Sequence, residues 1–261
     1  MPFAAGLFYH LFQGGEADTP PLVLIHGAGG MHLYWPVEIR RLVGHRVSAL
    51  DLPGHGRSAE CGGLQSVEAY ADQVIQWLEA VELPKAVFMG HSLGGEVVLS
   101  LAARFPKHVL GISLVSTSVQ PVIPTGLLEN SMNPTTFYNA VEALVQSSYS
   151  ISAPPRLAEL GAQRLAETRP SVLYGDLLAS ANFDGVGLLA SIHCPTLVLC
   201  GVEDRLTPLR ASQFLAGAIP GAQLVAIPQA GHMVMLEKPL EVAQALRSFL
   251  NQIPYRLDEA I

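Results

Sequence analysis

The sequence Gly90-His91-Ser92-Leu93-Gly94-Gly95 lies between two apolar runs, residues 86–89 and 97–103. The first run is typical of a buried strand and the second of a helix, so a serine stands at a sharp turn between them. Backbone at such a turn is strained, and side chains two residues before and after the serine would collide, which glycine at both positions avoids. The pattern predicts that the Ser92 hydroxyl is accessible at a helix N-terminus, where backbone N–H groups can bind a developing negative charge.

Strand and helix signals alternate along most of the 261-residue chain. Apolar runs bounded by turn residues predict seven strands, at residues 7–12, 22–25, 46–50, 86–89, 109–115, 196–200 and 223–227. Segments with helical periodicity predict helices at residues 34–43, 66–81, 94–104, 209–218 and 240–251. This alternation predicts βαβ crossovers and an α/β fold, with a mostly parallel sheet covered by helices on both faces.

One segment, residues 119–191, interrupts the alternation because it contains no convincing strand signal. Six prolines punctuate three predicted helices in it, at residues 135–147, 156–168 and 171–181. We interpret the segment as a helical cap (lid) that lies over the strand ends, with residues 1–118 and 192–261 forming the core domain. The alternative is that the segment only extends the outer helix layer.

Composition restricts the class of protein. Hydrophobic residues make up 49% of the chain and charged residues 14%, which is enough apolar material for a large core and too little charge for a disordered chain. The net charge of −7 and the lack of Lys/Arg clusters argue against nucleic acid and anionic membrane surfaces as partners. The chain shows no signal-peptide pattern and no apolar stretch of about 18 residues, so we expect no membrane span.

The three cysteines, Cys61, Cys194 and Cys200, are odd in number and form no C-x-x-C motif. They predict reduced thiols rather than a disulfide framework or a metal site. We expect a cytoplasmic protein with no cofactor and no metal, present either as a monomer or as a homodimer.

An alcohol is a poor nucleophile near neutral pH, so Ser92 needs a base, and the base needs an acid that orients it. In a parallel-sheet enzyme these groups lie on loops after later strands. His232 follows the last predicted strand and is the only histidine beyond residue 193. Glu203 and Asp204 follow the strand before it, and both remain open as the acid, because neighbours on an extended loop point in opposite directions. Some enzymes of this plan carry the acid one strand earlier. Here that strand, residues 109–115, is followed by Ser-Thr-Ser, which offers no carboxylate.

The oxyanion that forms when a serine attacks a carbonyl carbon needs two hydrogen-bond donors. The backbone N–H of Leu93, directly after the serine, is the first candidate. The second is the N–H of Ala28 in the loop His26-Gly27-Ala28-Gly29-Gly30, where small residues let the backbone approach a ligand closely. The alternative for this loop is a plain glycine turn.

Five segments together resemble the α/β-hydrolase superfamily, in its small esterase-like serine hydrolases of the carboxylesterase branch. They are residues 26–30, 51–58 (Asp-Leu-Pro-Gly-His-Gly-Arg-Ser), 90–95, 201–208 and 230–232 (Ala-Gly-His). The resemblance implies an eight-stranded sheet with only the second strand antiparallel, a helical cap, and a structural role for residues 51–58. It also implies the catalytic triad Ser92, Asp204 and His232, with Asp204 rather than Glu203 as the acid. Haloalkane dehalogenases and epoxide hydrolases carry aspartate where this chain has serine, which excludes both chemistries.

These residues predict a cofactor-free carboxylesterase that cleaves short-to-medium acyl or aryl esters, a small-molecule substrate, through an acyl-enzyme intermediate. The alternative is the same triad in a C–C bond hydrolase, a lactonase, an amidase, a lyase or a perhydrolase of the kind also called cofactor-free haloperoxidase, since a fold does not fix a chemistry. A further alternative is a non-catalytic ligand-binding receptor. Six apolar residues are candidates to line the substrate pocket, although those of the cap can instead pack within it: Leu127, Leu128, Met132, Phe137, Tyr138 and Met233.

Overall fold

The computed structural model describes residues 2–15 and 18–255. Within them, eight strands form one sheet: β1 Phe3–Ala4, β2 Leu7–Gln13, β3 Leu22–Ile25, β4 Arg46–Leu50, β5 Ala86–His91, β6 Val109–Val115, β7 Thr196–Gly201 and β8 Gln223–Ile227. The strand order is β1-β2-β4-β3-β5-β6-β7-β8. Only β2 runs against the others, since it pairs antiparallel with both β1 and β4 while every other pair is parallel. The expected α/β fold with an eight-stranded, mostly parallel sheet is confirmed.

The helices of the described residues flank this sheet and fill the segment between β6 and β7. They are α1 Val37–Arg40, α2 Val67–Ala80, α3 Leu93–Arg104, α4 Thr125–Met132, α5 Phe137–Ser148, α6 Pro155–Ala166, α7 Pro170–Ala181, α8 Leu209–Ala218, α9 Val234–Glu237 and α10 Pro239–Leu250. The start of α2 shows a side-chain cap, in which the Ser66 hydroxyl accepts a hydrogen bond from the N–H of Ala69 at 3.1 Å. None of the helices in this part of the chain is long and apolar enough to cross a membrane.

Alternate residues of the inner strands pack on opposite faces of the sheet. In β3, Val23 and Ile25 belong to the apolar cluster formed with α2 and α3, whereas Leu22 and Leu24 belong to the cluster formed with α1 and α10. All four side chains are fully buried. Burial on both faces explains why this strand is an unbroken apolar run in the sequence.

The parallel strands bring three distant parts of the chain to one edge of the sheet. Strands β5, β7 and β8 run in the same direction, so their carboxyl ends lie at the same edge. Ser92 directly follows β5, Asp204 lies three residues after β7, and His232 lies five residues after β8. Ligands of open α/β sheets bind outside this edge, so the topology alone places the three candidate residues at the expected position.

The predicted helix at residues 34–43 is wrong in its extent. The chain instead forms a short 3₁₀ turn, His32–Tyr34, and then the four-residue helix α1. Trp35 lies between them in an extended conformation and is fully buried. The reason is Pro36, because proline disfavours helical backbone in the residue before it and lacks the N–H that would continue the helix.

Residues 119–191 contain the helices α4 to α7 and no strand, and every residue of this segment is described. Three of the helices match the predicted ones within two residues at each end, but α4 was not predicted because its apolar residues form too short a periodic run. Helices from the segment share an apolar cluster of their own, whose buried members are Phe137, Val141, Leu165, Leu173 and Leu177.

The two sides of α10 provide a test of the packing described above. Leu246 is fully buried in the cluster shared with α1, whereas Leu240 on the same helix is 70% exposed. We expect Leu246→Ala to lower the free energy of unfolding by about 2–5 kcal/mol, because it leaves a cavity. The matched change Leu240→Ala should cost less than about 0.5 kcal/mol. Urea unfolding followed by circular dichroism measures both, and equal losses would contradict the placement of α10.

Candidate active site

The chain reverses at Ser92 between β5 and α3, with φ of 53° and ψ of −120°. This conformation is strained for a residue that carries a side chain. Two hydrogen bonds hold it: the Ser92 N–H donates to the carbonyl of Val115 at 2.9 Å, and the Thr117 hydroxyl donates to the Ser92 carbonyl at 2.8 Å. A Cβ atom on Gly90 or Gly94 would lie within 3.0 Å of backbone atoms, so the turn requires glycine at both positions.

The candidate base and one candidate acid meet beyond the ends of β7 and β8. His232 Nδ1 donates to Asp204 Oδ2 at 2.9 Å and lies 3.2 Å from Oδ1. The Thr207 hydroxyl donates to Oδ2 at 2.7 Å, and the N–H groups of Leu206 and Thr207 donate to Oδ1 at 2.9 and 2.8 Å. Asp204 and His232 are both buried. The carboxylate is therefore fully used in holding the imidazole and its own loop.

The surroundings keep the Asp204 carboxylate ionised. Burial alone would raise its pKa, but the charge and hydrogen bond of His232, together with the donors on Thr207, lower the pKa to about 2. Glu203 turns away, and its Oε2 accepts a hydrogen bond from the N–H of Ile151 at 3.2 Å. The structure thus brings Asp204, and not Glu203, to the imidazole.

Ser92 and His232 line the same cavity, which has a volume of about 120 Å³. Because Nδ1 of His232 faces Asp204, Nε2 on the other side of the ring is the nitrogen available to Ser92. In this structure Nδ1 of His232 contacts Asp204 and Thr207, and the Ser92 hydroxyl makes no hydrogen bond to the His232 ring. Such a hydrogen bond between nucleophile and base is often long or poorly aligned until substrate binds.

His91 joins the end of β5 to the loop that carries His232. Its Nε2–H donates to the His232 carbonyl at 3.0 Å, and the two rings lie 4.7 Å apart between centroids. Burial, with the neighbouring His232 adding to the effect, lowers the pKa of His91 to about 3, so this ring stays neutral. A neutral His91 adds no positive charge beside the imidazole of His232.

The loop after β3 lies directly against the turn at Ser92. A Cβ atom on Gly27 would lie 3.1 Å from the Cβ of Ser92, so the loop can approach this closely only as glycine. His26 fixes the loop, because its Nδ1–H donates to the Gly27 carbonyl at 2.8 Å and its Nε2 accepts from the N–H of Leu52 at 3.0 Å. Burial, followed by the charge of nearby His55, lowers the pKa of His26 to about 4, which keeps Nε2 able to accept.

The N–H groups of Ala28 and Leu93, the two predicted oxyanion donors, make no hydrogen bond to a backbone carbonyl of the described residues. The turn hydrogen bonds of the two loops use other amides: Gly30 donates to the carbonyl of Gly27, and Gly95 donates to that of Ser92. Ala28 lines the cavity. Leu93 is the first residue of α3, so its N–H points out of the positive end of the helix dipole.

A buried carboxylate on α7 also holds the loop after β3. Asp176 is fully buried, and its Oδ2 accepts from the N–H of Gly29 and from Nε2 of His55, each at 2.8 Å. Its Oδ1 accepts from the hydroxyl of Tyr70. Burial alone would lower the pKa of His55, but its pairing with Asp176 raises it. The segment between β6 and β7 is therefore joined to the core by a buried ion pair.

The cavity corrects four of the six predicted pocket residues. Leu127 and Met233 line it, whereas Leu128, Met132, Phe137 and Tyr138 do not. Met132 is 58% and Tyr138 68% exposed, and Phe137 packs in the apolar cluster between the helices. The reason is that apolar residues of a short helix can face the cavity, a neighbouring helix or solvent. The periodicity of the sequence does not determine which of these each residue faces.

Polar residues that the sequence did not single out also line the cavity, among them one hydrogen-bonded pair. Glu96, four residues after Ser92, and Ser180 on α7 are both buried, and the Ser180 hydroxyl donates to Glu96 Oε2 at 2.8 Å. Burial raises the pKa of Glu96 to about 8; the Ser180 hydrogen bond opposes this effect and the charge of Asp176 adds to it. The sequence feature that could have identified Glu96 is that it is the single carboxyl group in the otherwise apolar start of α3. Within residues 2–15 and 18–255 no cluster of three or more His, Cys, Asp or Glu side chains is arranged for a metal ion.

Comparison with known proteins finds similar sequences and structures over nearly the whole chain. The model of the alpha/beta hydrolase family matches residues 22–245. A protein named carbamate hydrolase RutD, from Pseudomonas syringae pv. syringae, is 32% identical over 95% of this chain and 100% of the relative. A 2-hydroxymuconate semialdehyde hydrolase from Pseudomonas putida is 31% identical over 95% of this chain and 92% of its own length. Among solved structures, a thermophilic esterase from Thermogutta terrifontis superposes with a TM-score of 0.86 at 27% identity, covering 95% of this chain and 94% of that chain.

The raised pKa of Glu96 predicts how stability depends on pH. A carboxyl group whose pKa is higher in the folded than in the unfolded protein loses stabilising free energy as the pH rises from its unfolded pKa, 4.5, towards about 8. Glu96→Gln removes this loss. Its free energy of unfolding should gain about 2–3 kcal/mol relative to wild type between pH 5 and pH 7.5.

Urea unfolding at the two pH values measures this gain. Glu79→Gln is the matched control, because Glu79 is an exposed glutamate on the neighbouring helix α2 and its replacement should leave the pH dependence of stability as in wild type. A difference between Glu96→Gln and wild type that is the same at both pH values would show that Glu96 is ionised in the folded protein.

Proposed function

The chain belongs to the alpha/beta hydrolase family and is a hydrolase, and we propose that its substrates are carboxylic esters. The observation that carries the proposal is the 2.9 Å hydrogen bond between His232 Nδ1 and Asp204 Oδ2, beside a cavity that Ser92 also lines. Both observations support the assignment of Ser92 as nucleophile, His232 as base and Asp204 as orienting carboxylate. The likeness to a solved esterase supports esters as the substrate class.

In the proposed reaction, Nε2 of His232 accepts the Ser92 proton while Oγ forms a bond to the ester carbonyl carbon. The negative charge moves to the carbonyl oxygen, which the N–H groups of Ala28 and Leu93 bind. The intermediate collapses when the bond to the alkoxy group breaks and the imidazolium gives its proton to the leaving alcohol. Water then attacks the acyl-enzyme by the same steps and releases the acid.

Asp204 acts through His232 and does not touch the substrate. Its carboxylate holds the proton on Nδ1, which leaves Nε2 free to accept the Ser92 proton, and its negative charge stabilises the imidazolium that forms. The pKa of about 2 keeps this charge in place across the pH range in which a histidine can act as a base.

We assign residues 119–191 the role of a cap over this site. Side chains from the segment line the same cavity as Ser92, among them Ile123, Leu127, Leu165 and Leu177. Their apolar character suits the hydrocarbon part of an ester. The ion pair of Asp176 with His55 would then fix the cap to the core rather than let it open as a free lid.

Carbamate hydrolysis is the second candidate, because the relative of that name covers nearly all of this chain. A carbamate carbonyl needs the same attack by Ser92 and the same oxyanion donors, and differs in the nitrogen attached to the carbonyl carbon. The site can therefore serve either substrate, and measured selectivity decides between them.

Replacing the nucleophile tests the proposal. We expect wild type to hydrolyse p-nitrophenyl esters of two to eight acyl carbons, and to hydrolyse a p-nitrophenyl carbamate more slowly. Ser92→Ala should lower kcat/KM by several orders of magnitude, because no other group can form the acyl-enzyme. Ser100→Ala is the matched control, since Ser100 is a buried serine two helical turns further along α3. Residual activity of Ser92→Ala within tenfold of wild type would rule out this nucleophile, and faster carbamate turnover would favour the second candidate.

Replacing the two neighbouring carboxylates tests the assignment of the acid. Asp204→Asn should lower kcat by up to about 10⁴-fold, because the amide favours the wrong imidazole tautomer. Glu203→Gln should leave kcat unchanged, because Glu203 contacts the backbone of Ile151 and not His232. Steady-state kinetics on one short ester compares the two. Equal losses, or a larger loss in Glu203→Gln, would overturn the assignment.

A further inference from the structure

Of the described residues, one carboxyl group lines the cavity, and the proposed reaction leaves it unused. Glu96 lies on α3 four residues after Ser92, about one helical turn or 5.4 Å along the axis. Side chains of a helix tilt towards its N-terminus, so Glu96 leans towards the Ser92 end of the helix. It is only 3% exposed and nevertheless lines the cavity.

The cap supplies the partner of this carboxyl group. The Ser180 hydroxyl donates to Glu96 Oε2 at 2.8 Å, and Ser180 also lines the cavity. Leu177, one turn earlier on the same face of α7, lines it as well and is apolar. Glu96 and Ser180 therefore form a polar pair in a mainly apolar wall. A buried carboxyl group with a single protein partner is costly to the fold, and a substrate atom would supply a second partner.

We propose that Glu96 and Ser180 form a polar subsite that binds a neutral oxygen of the substrate, a ketone or a hydroxyl, about four bonds from the carbonyl carbon that Ser92 attacks. This inference rests on the proposed function, because it assigns the substrate class of the same site. It makes Glu96 a specificity-determining residue that takes no part in proton transfer to or from Ser92.

The electrostatics of the pair favour a neutral group over an ion. Burial holds Glu96 in its protonated form at neutral pH, so its O–H can donate to a substrate oxygen while Oε2 accepts from Ser180. Asp176, one turn before Ser180 on α7, acts on Glu96 through its charge and is paired with His55 and Tyr70, and an anionic substrate group would be repelled by that carboxylate. On the side of β5 the cavity-lining group is His91, which is neutral.

The protonated state also protects the oxyanion. An ionised Glu96 would place a negative charge about one turn from the N–H of Leu93, where the negative charge of the oxyanion develops. The subsite is therefore compatible with catalysis only while Glu96 keeps its proton. A polar substrate that accepts this proton in a hydrogen bond uses the carboxyl group without ionising it.

Two matched pairs of esters test the subsite from either side of the scissile bond. On the acyl side, p-nitrophenyl 4-oxopentanoate is compared with p-nitrophenyl pentanoate; on the alcohol side, 2-oxobutyl acetate is compared with butyl acetate. We expect wild type to prefer the keto member of one pair by about tenfold in kcat/KM, because an apolar substrate leaves the carboxyl group unpaired. The pair that shows the preference identifies the side of the ester that lies against Glu96.

Variants separate hydrogen bonding from shape. Glu96→Met should reduce the keto preference to within twofold, and Ser180→Ala should reduce it in the same direction. Glu96→Gln should keep it, because the amide still donates. Ser100→Ala is the control for a buried serine removed from α3 and should keep the wild-type ratio.

Above about pH 8 the keto preference should decline in wild type and not in Glu96→Gln. A purely structural role of Glu96 would not produce this difference in pH dependence.

Binding to the inactive Ser92→Ala protein makes the test independent of turnover. Calorimetric Kd values for the same four esters should show the keto preference, and the added change Glu96→Met should abolish it. A binding preference without hydrolysis of any ester by wild type would keep the subsite and overturn the proposed function. Ester hydrolysis with no keto preference in either pair, in turnover or in binding, would overturn the subsite and keep the proposed function.

Discussion

The reversal of the chain at Ser92 is the constraint on which the rest of the site depends. The residue has φ of 53°, and the backbones around Gly90 and Gly94 are too close to accommodate a Cβ atom. This turn ends β5 and starts α3, so it fixes the serine above the sheet and points the helix N-terminus at the same place. Because the sheet is parallel from β5 to β8, the loops that carry Asp204 and His232 begin at the same edge of the sheet as Ser92.

The site contains two buried carboxyl groups in opposite protonation states, Glu96 in the cavity wall and Asp204 behind His232. Asp204 is surrounded by donors and by His232, which lower its pKa to about 2, whereas burial with only the Ser180 hydroxyl as donor raises that of Glu96 to about 8. Environment alone sets this difference, since the two groups have similar pKa values in water. A site with one carboxylate and one neutral acid can orient an imidazole and also donate a hydrogen bond to a neutral substrate atom.

The sequence predicted the sheet better than the cavity. Seven strands follow from apolar runs, and the inner ones are buried on both faces, as Leu22 to Ile25 show; the two-residue β1 is too short to leave such a run. The helix at residues 34–43 failed at Pro36, where a local rule outweighs periodicity. Phe137 and Tyr138 failed for a different reason. Both lie on α5, but contacts between helices of residues 119–191 decide which face meets the cavity, and those contacts are not local in sequence.

Helix α7 illustrates why the substrate pocket and the catalytic loops are not independent parts of this fold. Asp176 holds the N–H of Gly29, next to the proposed oxyanion donor Ala28, while Ser180, one turn further on, reaches the cavity and Glu96. Any change that shifts α7 therefore moves the wall of the pocket and the loop after β3 together. Replacing Ser180 by alanine removes the hydrogen bond to Glu96, whereas loss of the Asp176 carboxylate would leave buried His55 without its counter-charge. Selectivity can thus vary at Ser180 only as long as Asp176 keeps the helix in place.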